Sequence, residues 1–284
     1  MKTAAIIYGR NDGYKEDDRL IIHINSLLET FDEVLYLDWN SDDNKGSALE
    51  SIKPKLFQTK KLKHFIIPAS IVSQIYNGIE GIGACVSPII YNILLRRCDA
   101  DWIVATTNDI IAPKREILES FLAKADKNTF YTLSRRDIEY QDVVSFGIDK
   151  WKEYRDILDQ TTEERHFYAQ VTPNDRYSLI NCCGDFQLAS KHVWKTIKGF
   201  EEQMIYACFN DTNVQKKAVL NGFDLKAIYD VPLYHMSHTG MGNDGSSPSK
   251  QRYNDAWEWV EWFEESKNDE NWGLSDVEIE FEII

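Results

Sequence analysis

Residues Asn92 to Pro113 read NILLRRCDADWIVATTNDIIAP. The first half has the apolar spacing of a helix, and Asp99-Ala100-Asp101 supplies a tight turn. Trp102 to Thr106 is a short apolar run of the length of a buried strand. The strand stops at polar residues, and Asp109 lies just past its carboxyl end. In an open α/β sheet, ligands bind in the crevice beyond the carboxyl ends of the strands. The stretch therefore predicts Asp109 beside a phosphate-bearing ligand and its metal.

Working outward toward the amino end, Lys2 to Tyr8 is a buried strand closed by Gly9. Glu16 to Thr30 carries Leu20, Ile21, Ile24, Leu27 and Leu28 at helical spacing. Val34 to Leu37 is a second strand ending at Asp38. His64 to Ile67 is a third, closed by Pro68, and Pro88 starts the helix that runs to Cys98. Strands alternating with helices predict an α/β fold with a mainly parallel central sheet flanked by helices.

Toward the carboxyl end the pattern is less regular. Thr129 to Leu133 is a strand, and residues 137–178 are polar without a clear period. A helix over Thr212 to Leu220 is closed by Asn221-Gly222. Leu225 to Tyr229 and Pro232 to Met236 read as two strands. Thr239 to Ser249 is Gly/Ser-rich and reads as a mobile loop. An aromatic helix with Trp257, Trp259, Trp262 and Phe263 follows, then an acidic tail.

The 284 residues carry a formal net charge of −14. That excludes a non-specific nucleic-acid binder, which needs a basic face to neutralise phosphates. It also argues against electrostatic attraction to anionic membranes. No apolar run approaches transmembrane length, and the first residues read as a strand, not a signal peptide. The five cysteines (Cys85, Cys98, Cys182, Cys183, Cys208) have no metal-type spacing. Together these features predict a soluble, cytoplasmic protein with reduced thiols.

Polar groups gather at the strand ends. Tyr8 and Arg10 follow the first strand, Asp38 and Ser41 the second, and Asn108 and Asp109 the fourth. A nucleotide could use such a set for base, ribose and diphosphate contacts. Asn92 and Arg96 share a helix face, suited to a diphosphate or nucleoside, or simply to solvent. Asp109 fits a metal ligand or a cap for the helix near Pro113. His235 and His238 form a His-x-x-His pair able to share a metal or meet a phosphate. Asp211 opens a helix, as a plain cap or as a general base.

Four segments resemble the GT-A-fold glycosyltransferases of the kind grouped near families two and seven. Residues 92–113 resemble their helix, strand and DxD-like motif. CCGDFQLASKHVWKTIKGFEE resembles their acceptor-side segment, FNDTNVQKKAVLNGF the following helix with its leading Asp, and PLYHMSH their closing strand with a metal-binding His. The likeness runs from about residue 3 to 240 and leaves 137–175 unaccounted for. It implies a GT-A-like body over 1–240, with a nucleotide half to about 112 and an acceptor half beyond. Residues 241–284 would hold the mobile loop, the aromatic helix and the tail.

By position, the resemblance implies Asp109 as the metal-ligating acid, completed by His238 and His235, with Mn2+ or Mg2+ as the cation. Tyr8, Arg10, Asp38, Asn92, Arg96 and Asn108 would hold the nucleotide of a UDP-sugar donor. Gly184 and Asp185 would line the sugar and acceptor site, Glu202 would contact acceptor or donor sugar, and Asp211 would be the base of an inverting transfer to a glycan hydroxyl. Thr107 stands where the motif has its first acid, so a single carboxylate remains. Two rivals stay open: a degenerate module that binds a nucleotide or glycan without turnover, and a nucleotidyltransferase. A zinc protein is disfavoured by the scattered cysteines.

Overall fold

The computed structural model describes residues 1–9, 17–39, 47–67, 69–76, 87–161, 184–204, 210–237 and 268–284. Arg10, His238, the loop over 239–249, the aromatic helix and four of the five cysteines lie outside the described residues. Nine strands are present among the described residues: β1 (Thr3–Gly9), β2 (Glu33–Asp38), β3 (Leu62–Ile66), β4 (Trp102–Thr106), β5 (Ile110–Ile111), β6 (Thr129–Ile138), β7 (Phe186–Ser190), β8 (Asp224–Met236) and β9 (Phe281–Ile283). The helices are α1 (Asp17–Thr30), α2 (Ala48–Ile52), α3 (Ala69–Tyr76), α4 (Ser87–Arg97), α5 (Arg115–Leu122), α6 (Tyr140–Phe146), α7 (Trp151–Gln160), α8 (Lys191–Thr196) and α9 (Asn210–Leu220).

The strands form one sheet in the order β5-β8-β6-β7-β4-β1-β2-β3-β9. β3, β2, β1 and β4 are mutually parallel. β7 runs antiparallel between β4 and β6, and β6 pairs parallel with β8. Successive side chains of β1 and β2 feed opposite layers. Ala4, Ile6, Leu35 and Leu37 pack with Ile90, Leu94, Trp194 and Val214 on one side. Ala5, Ile7, Val34 and Tyr36 pack with Leu20, Ile24, Leu28 and Leu118 on the other. Helices cover both faces, so the central strands are apolar throughout rather than alternating.

The two strands expected around Tyr229 and Pro232 are one, β8. Pro232 is tolerated because it falls where the register with β6 breaks, between Leu133↔Ile228 and Arg135↔Leu233. A residue without an N–H fits such an irregularity. The patternless stretch after Asp137 begins with α6 and α7, whose Tyr140, Val143 and Trp151 form a third buried cluster with Ile111 and Tyr234. The helix closed by Gly222 is as expected, with φ +84° at that glycine.

The end of the chain, read from sequence as an acidic tail, is packed. Trp272 and Ile279 join the core, and β9 adds an antiparallel edge to β3. The Arg97 guanidinium donates to the carbonyls of Gly273 (2.7 Å), Leu274 (2.8 Å) and Val277 (2.7 Å). Among the described residues, no helix is long and apolar enough to cross a membrane.

Candidate active site

β4 ends at Thr106, and a turn over Thr107, Asn108 and Asp109 carries the chain into β5. β5 pairs with β8 so that Ile110 lies opposite His235. On the other side of β8, His235 lies opposite Asp137 of β6. The sheet register thus brings an acid from each side onto one imidazole. His235 Nε2 is 3.3 Å from Asp109 Oδ2, and His235 Nδ1 is 2.7 Å from Asp137 Oδ1. Burial works to lower the His235 pKa, but the hydrogen bond and charge of Asp109 outweigh it and the pKa is raised. Asp109 is itself buried, its Oδ1 accepts from the Thr107 hydroxyl (2.6 Å), and its carbonyl accepts from Met236 N–H (2.7 Å). It does not cap α5, whose N-cap position is Lys114.

A second acidic pair lies alongside. β7 runs antiparallel to β4, so its entry turn, Gly184-Asp185, meets the carboxyl end of β4. The Thr106 hydroxyl donates to the Asp185 carbonyl (2.6 Å). Arg135 bridges the pairs, bonding the Asp185 carboxylate and lying 3.2 Å from Asp137 Oδ1. A Cβ on Gly184 would fall 2.5 Å from Asp211 Cβ, so the glycine is what lets Asp211 approach this turn. Burial raises the Asp211 pKa, the Thr212 N–H opposes that, and the charge of Asp185 adds to it. Asp211 sits within the first turn of α9 rather than at its cap, with Oδ1 accepting from Thr212 N–H (2.8 Å).

Of the residues expected to hold a nucleotide, Tyr8 and Asp38 lie at the ends of β1 and β2. The Asn108 amide donates to the Tyr8 carbonyl, and its Oδ1 is buried without a partner. The Tyr8 ring meets Tyr91 edge-on at 5.1 Å. Asp38 Oδ2 accepts from Ala48 N–H (3.2 Å).

Asn92 and Arg96 are not brought into this group. Asn92 is fully buried and its amide is committed to the 200–202 loop: it donates to Phe200 O (2.8 Å) and Glu202 Oε1 (2.9 Å) and accepts from Phe200 N–H (2.8 Å). A Cβ on Gly199 would fall 2.1 Å from Asn92 Oδ1, and φ there is +62°, so only glycine fits. Arg96 lies over the Trp272 ring at 5.0 Å. Glu202 is held by the same amide and by Gly273 N–H (2.7 Å), while Asn268 Oδ1 accepts from its N–H (3.0 Å). Burial raises the Glu202 pKa.

Arg135 and Asp137 were not singled out in the sequence. Their signal is alternation: two apart on a strand, they share a face, but only if β6 runs to Ile138 instead of stopping at Leu133.

A cation would find two ligands here. Ligands bonded at about 2.1 Å to one octahedral ion stand about 3 Å apart, and the Asp109–His235 separation of 3.3 Å fits that spacing. Asp137 on the far ring nitrogen is the kind of outer contact that orients a ligating His. Among the described residues no three such groups converge on a single point.

No protein-family profile and no curated protein matches the sequence. Solved structures do. S. aureus TarS 1–349 in complex with UDP-GlcNAc aligns with a TM-score of 0.58 at 16% identity over 96% of this chain and 69% of that one. The UDP complex of the same fragment aligns with a TM-score of 0.53 at 17% identity over 84% and 61%. The mannosyltransferase PcManGT from Pyrobaculum calidifontis, in complex with GDP-Man and Mn2+, aligns with a TM-score of 0.51 at 14% identity over 84% and 58%. The fold is that of the GT-A glycosyltransferases. This GT-A-like chain spans 37% of the longer TarS structure, and at such identities the likeness carries the fold and no residue roles.

Proposed function

We propose that the protein is a glycosyltransferase that moves a sugar from a nucleoside diphosphate, UDP being the expected carrier, to a hydroxyl of a glycan or related acceptor, with inversion. The observation that carries this reading is the linked pair of acidic centres at the carboxyl edge of the sheet, Asp109–His235 and Asp185–Asp211, joined through Arg135. The GT-A fold and its nucleotide-sugar-bound neighbours support it.

Asp109 and His235, with His238, would hold the divalent cation, which supplies positive charge against the leaving diphosphate. Tyr8, Arg10, Asp38 and Asn108 would hold the nucleoside. Asp185, fixed by Arg135, faces the sugar from the Gly184 turn. Asp211 takes the acceptor proton as the hydroxyl attacks the anomeric carbon, and its raised pKa makes it a stronger base than an ordinary Asp. Glu202 contacts the acceptor. Asn92 holds the Glu202 side chain instead of touching the nucleotide, and Arg96 lies over Trp272 away from it.

Thermal shift with UDP, UDP-GlcNAc, GDP and GDP-mannose, each with and without Mn2+, tests the donor side, because a ligand of the folded state raises the midpoint. A Mn2+-dependent rise that disappears in Asp109→Ala is expected. Nucleotide binding without turnover across an acceptor panel would favour the degenerate binding module, a rival that the single carboxylate at Thr107-Asn108-Asp109 keeps in view. Diphosphate release from a nucleoside triphosphate would mark a nucleotidyltransferase.

A further inference from the structure

β5 is two residues long and ends the sheet, yet its pairing with β8 is what brings Asp109 to His235. The ladder sets Ile110 opposite His235 and Ile111 opposite Tyr234, and Met236 N–H donates to the Asp109 carbonyl (2.7 Å). Hydrogen-bonded and non-hydrogen-bonded positions alternate along an antiparallel ladder. Asp109 and Met236 take a bonded position, so Ile110 and His235 take the other kind, and the Ile110 carbonyl points away from β8. Among the described residues no strand lies beyond β5, so that buried carbonyl needs a donor from elsewhere.

The donor comes from α1. His23 is fully buried, and its Nδ1 stands 2.9 Å from the Ile110 carbonyl oxygen. A carbonyl can only accept, so Nδ1 carries the proton. Burial pushes the His23 pKa down to about 4, so the ring is neutral near pH 7. Its Nε2 is then a bare acceptor, buried and without a hydrogen-bond partner. Ser26, three residues on, shares this face of α1, and its Oγ accepts from Ala112 N–H (3.0 Å). Ala112 is two residues past Ile110, so its N–H leaves the same edge. α1 thus supplies a donor and an acceptor where the next strand of a sheet would. A residue kept at position 23 for packing alone would be apolar and would leave no buried nitrogen unpaired. What the imidazole contributes in return is the Nδ1–H on Ile110.

We propose that His23 is a positioning residue for the Asp109–His235 pair: through the Ile110 carbonyl it holds the short strand whose pairing with β8 sets these two side chains beside each other. This rests on the reading that the pair holds the cation of the donor complex. His23 acts through the backbone, one residue from Asp109, and is given no contact with substrate.

Two measurements test it, one without metal. Amide hydrogen exchange in the metal-free protein compares Met236, whose N–H bonds the Asp109 carbonyl, with the amides of β1 and β2, which report on the whole fold. His23→Leu is expected to speed exchange at Met236 about tenfold, the loss of one buried hydrogen bond, and to leave β1 and β2 unchanged. Electron paramagnetic resonance of free Mn2+ in the presence of UDP then gives the affinity of the site. It should weaken about tenfold in His23→Leu and be lost in Asp109→Ala. His23→Asn carries an amide N–H at the place of Nδ1–H and should recover most of both effects. Ser26→Ala is a smaller change that carries the test if His23→Leu does not fold, and a several-fold effect in the same direction is expected in both measurements.

Faster exchange to the same degree at Met236 and in β1 and β2 would make His23 a general packing residue and overturn the proposal, as would exchange at Met236 that matches the parent. If Asp109→Ala loses Mn2+ while the His23 and Ser26 variants bind it as the parent does, the positioning role is overturned and the cation reading stands. If the parent binds no Mn2+ with UDP, or Asp109→Ala binds it unchanged, the cation reading falls and takes the proposal with it.

Discussion

Gly184 and Asp211 share one small volume: the place a Cβ would take on the glycine is filled by the Asp211 side chain. That contact presses a carboxylate against backbone and within reach of the Asp185 charge, which together with burial raises the Asp211 pKa. A raised acid pKa means the folded state holds the proton more tightly than the unfolded chain. Stability contributed by that proton is present below the unfolded Asp pKa of about 3.9 and is lost as pH rises through the folded pKa. Asp211→Asn should therefore raise the melting temperature at pH 7, by about 2–4 °C if the penalty is about 1 kcal/mol. The gain should fade as pH falls through the raised folded pKa and be gone below about 4. The same variant should lose transfer while keeping donor binding; loss of donor affinity would reassign Asp211 to the nucleotide. A carboxylate kept at a stability cost is the pattern of a site that needs the charge. The strand-end acids were legible because position along a parallel sheet determines where they go. Asn92 was not: its amide is satisfied by a loop 108 residues away, and no local pattern reports so distant a partner.

At the scale of elements, periodicity located α1, α4, α9 and β1 to β4 to within a residue or two, because each buries a regular face. It stopped short where a second element supplies the reason for the first. β6 continues to Ile138 because β8 is there to pair with it past the Pro232 irregularity. The carboxyl-terminal segment packs because Arg97 of α4 receives it. Read locally, Arg97 could pass for a solvated helix-end cation. In the structure its fork reaches three carbonyls of 273–277 that would otherwise lack these donors. Hydrogen bonds from a charged donor contribute about 1.5–3 kcal/mol each, with strong non-additivity among neighbours. Arg97→Ala should lower unfolding stability by about 2–4 kcal/mol in urea titration. Arg97→Lys should recover only part of it, since an ammonium lacks the planar fork. Stability unchanged in Arg97→Ala would mean that Trp272 and β9 hold the segment unaided.

Across the whole molecule, the two halves expected from the resemblance, to about residue 112 and beyond it, share one sheet. β4 has β1 on one side and β7 on the other, so a cut after 112 turns an inner strand into an edge. The Trp194 indole donates to the Ile103 carbonyl (3.0 Å) across that boundary. The layer over Ala4, Ile6, Leu35 and Leu37 is completed by Trp194, Val214 and Trp272 from later in the chain. Removing them would bare a broad apolar face and an unpaired strand edge, which is a route to aggregation. The fragment 1–112 should therefore lack a cooperative thermal transition and dispersed amide resonances when made alone. The intact chain should unfold in one step, with tryptophan fluorescence and far-ultraviolet circular dichroism superimposing in urea. A folded, UDP-binding 1–112 fragment would show the nucleotide half to be an independent domain. Separate fluorescence and dichroism midpoints would place a boundary inside the sheet, and the strands on either side of β4 would be the place to find it.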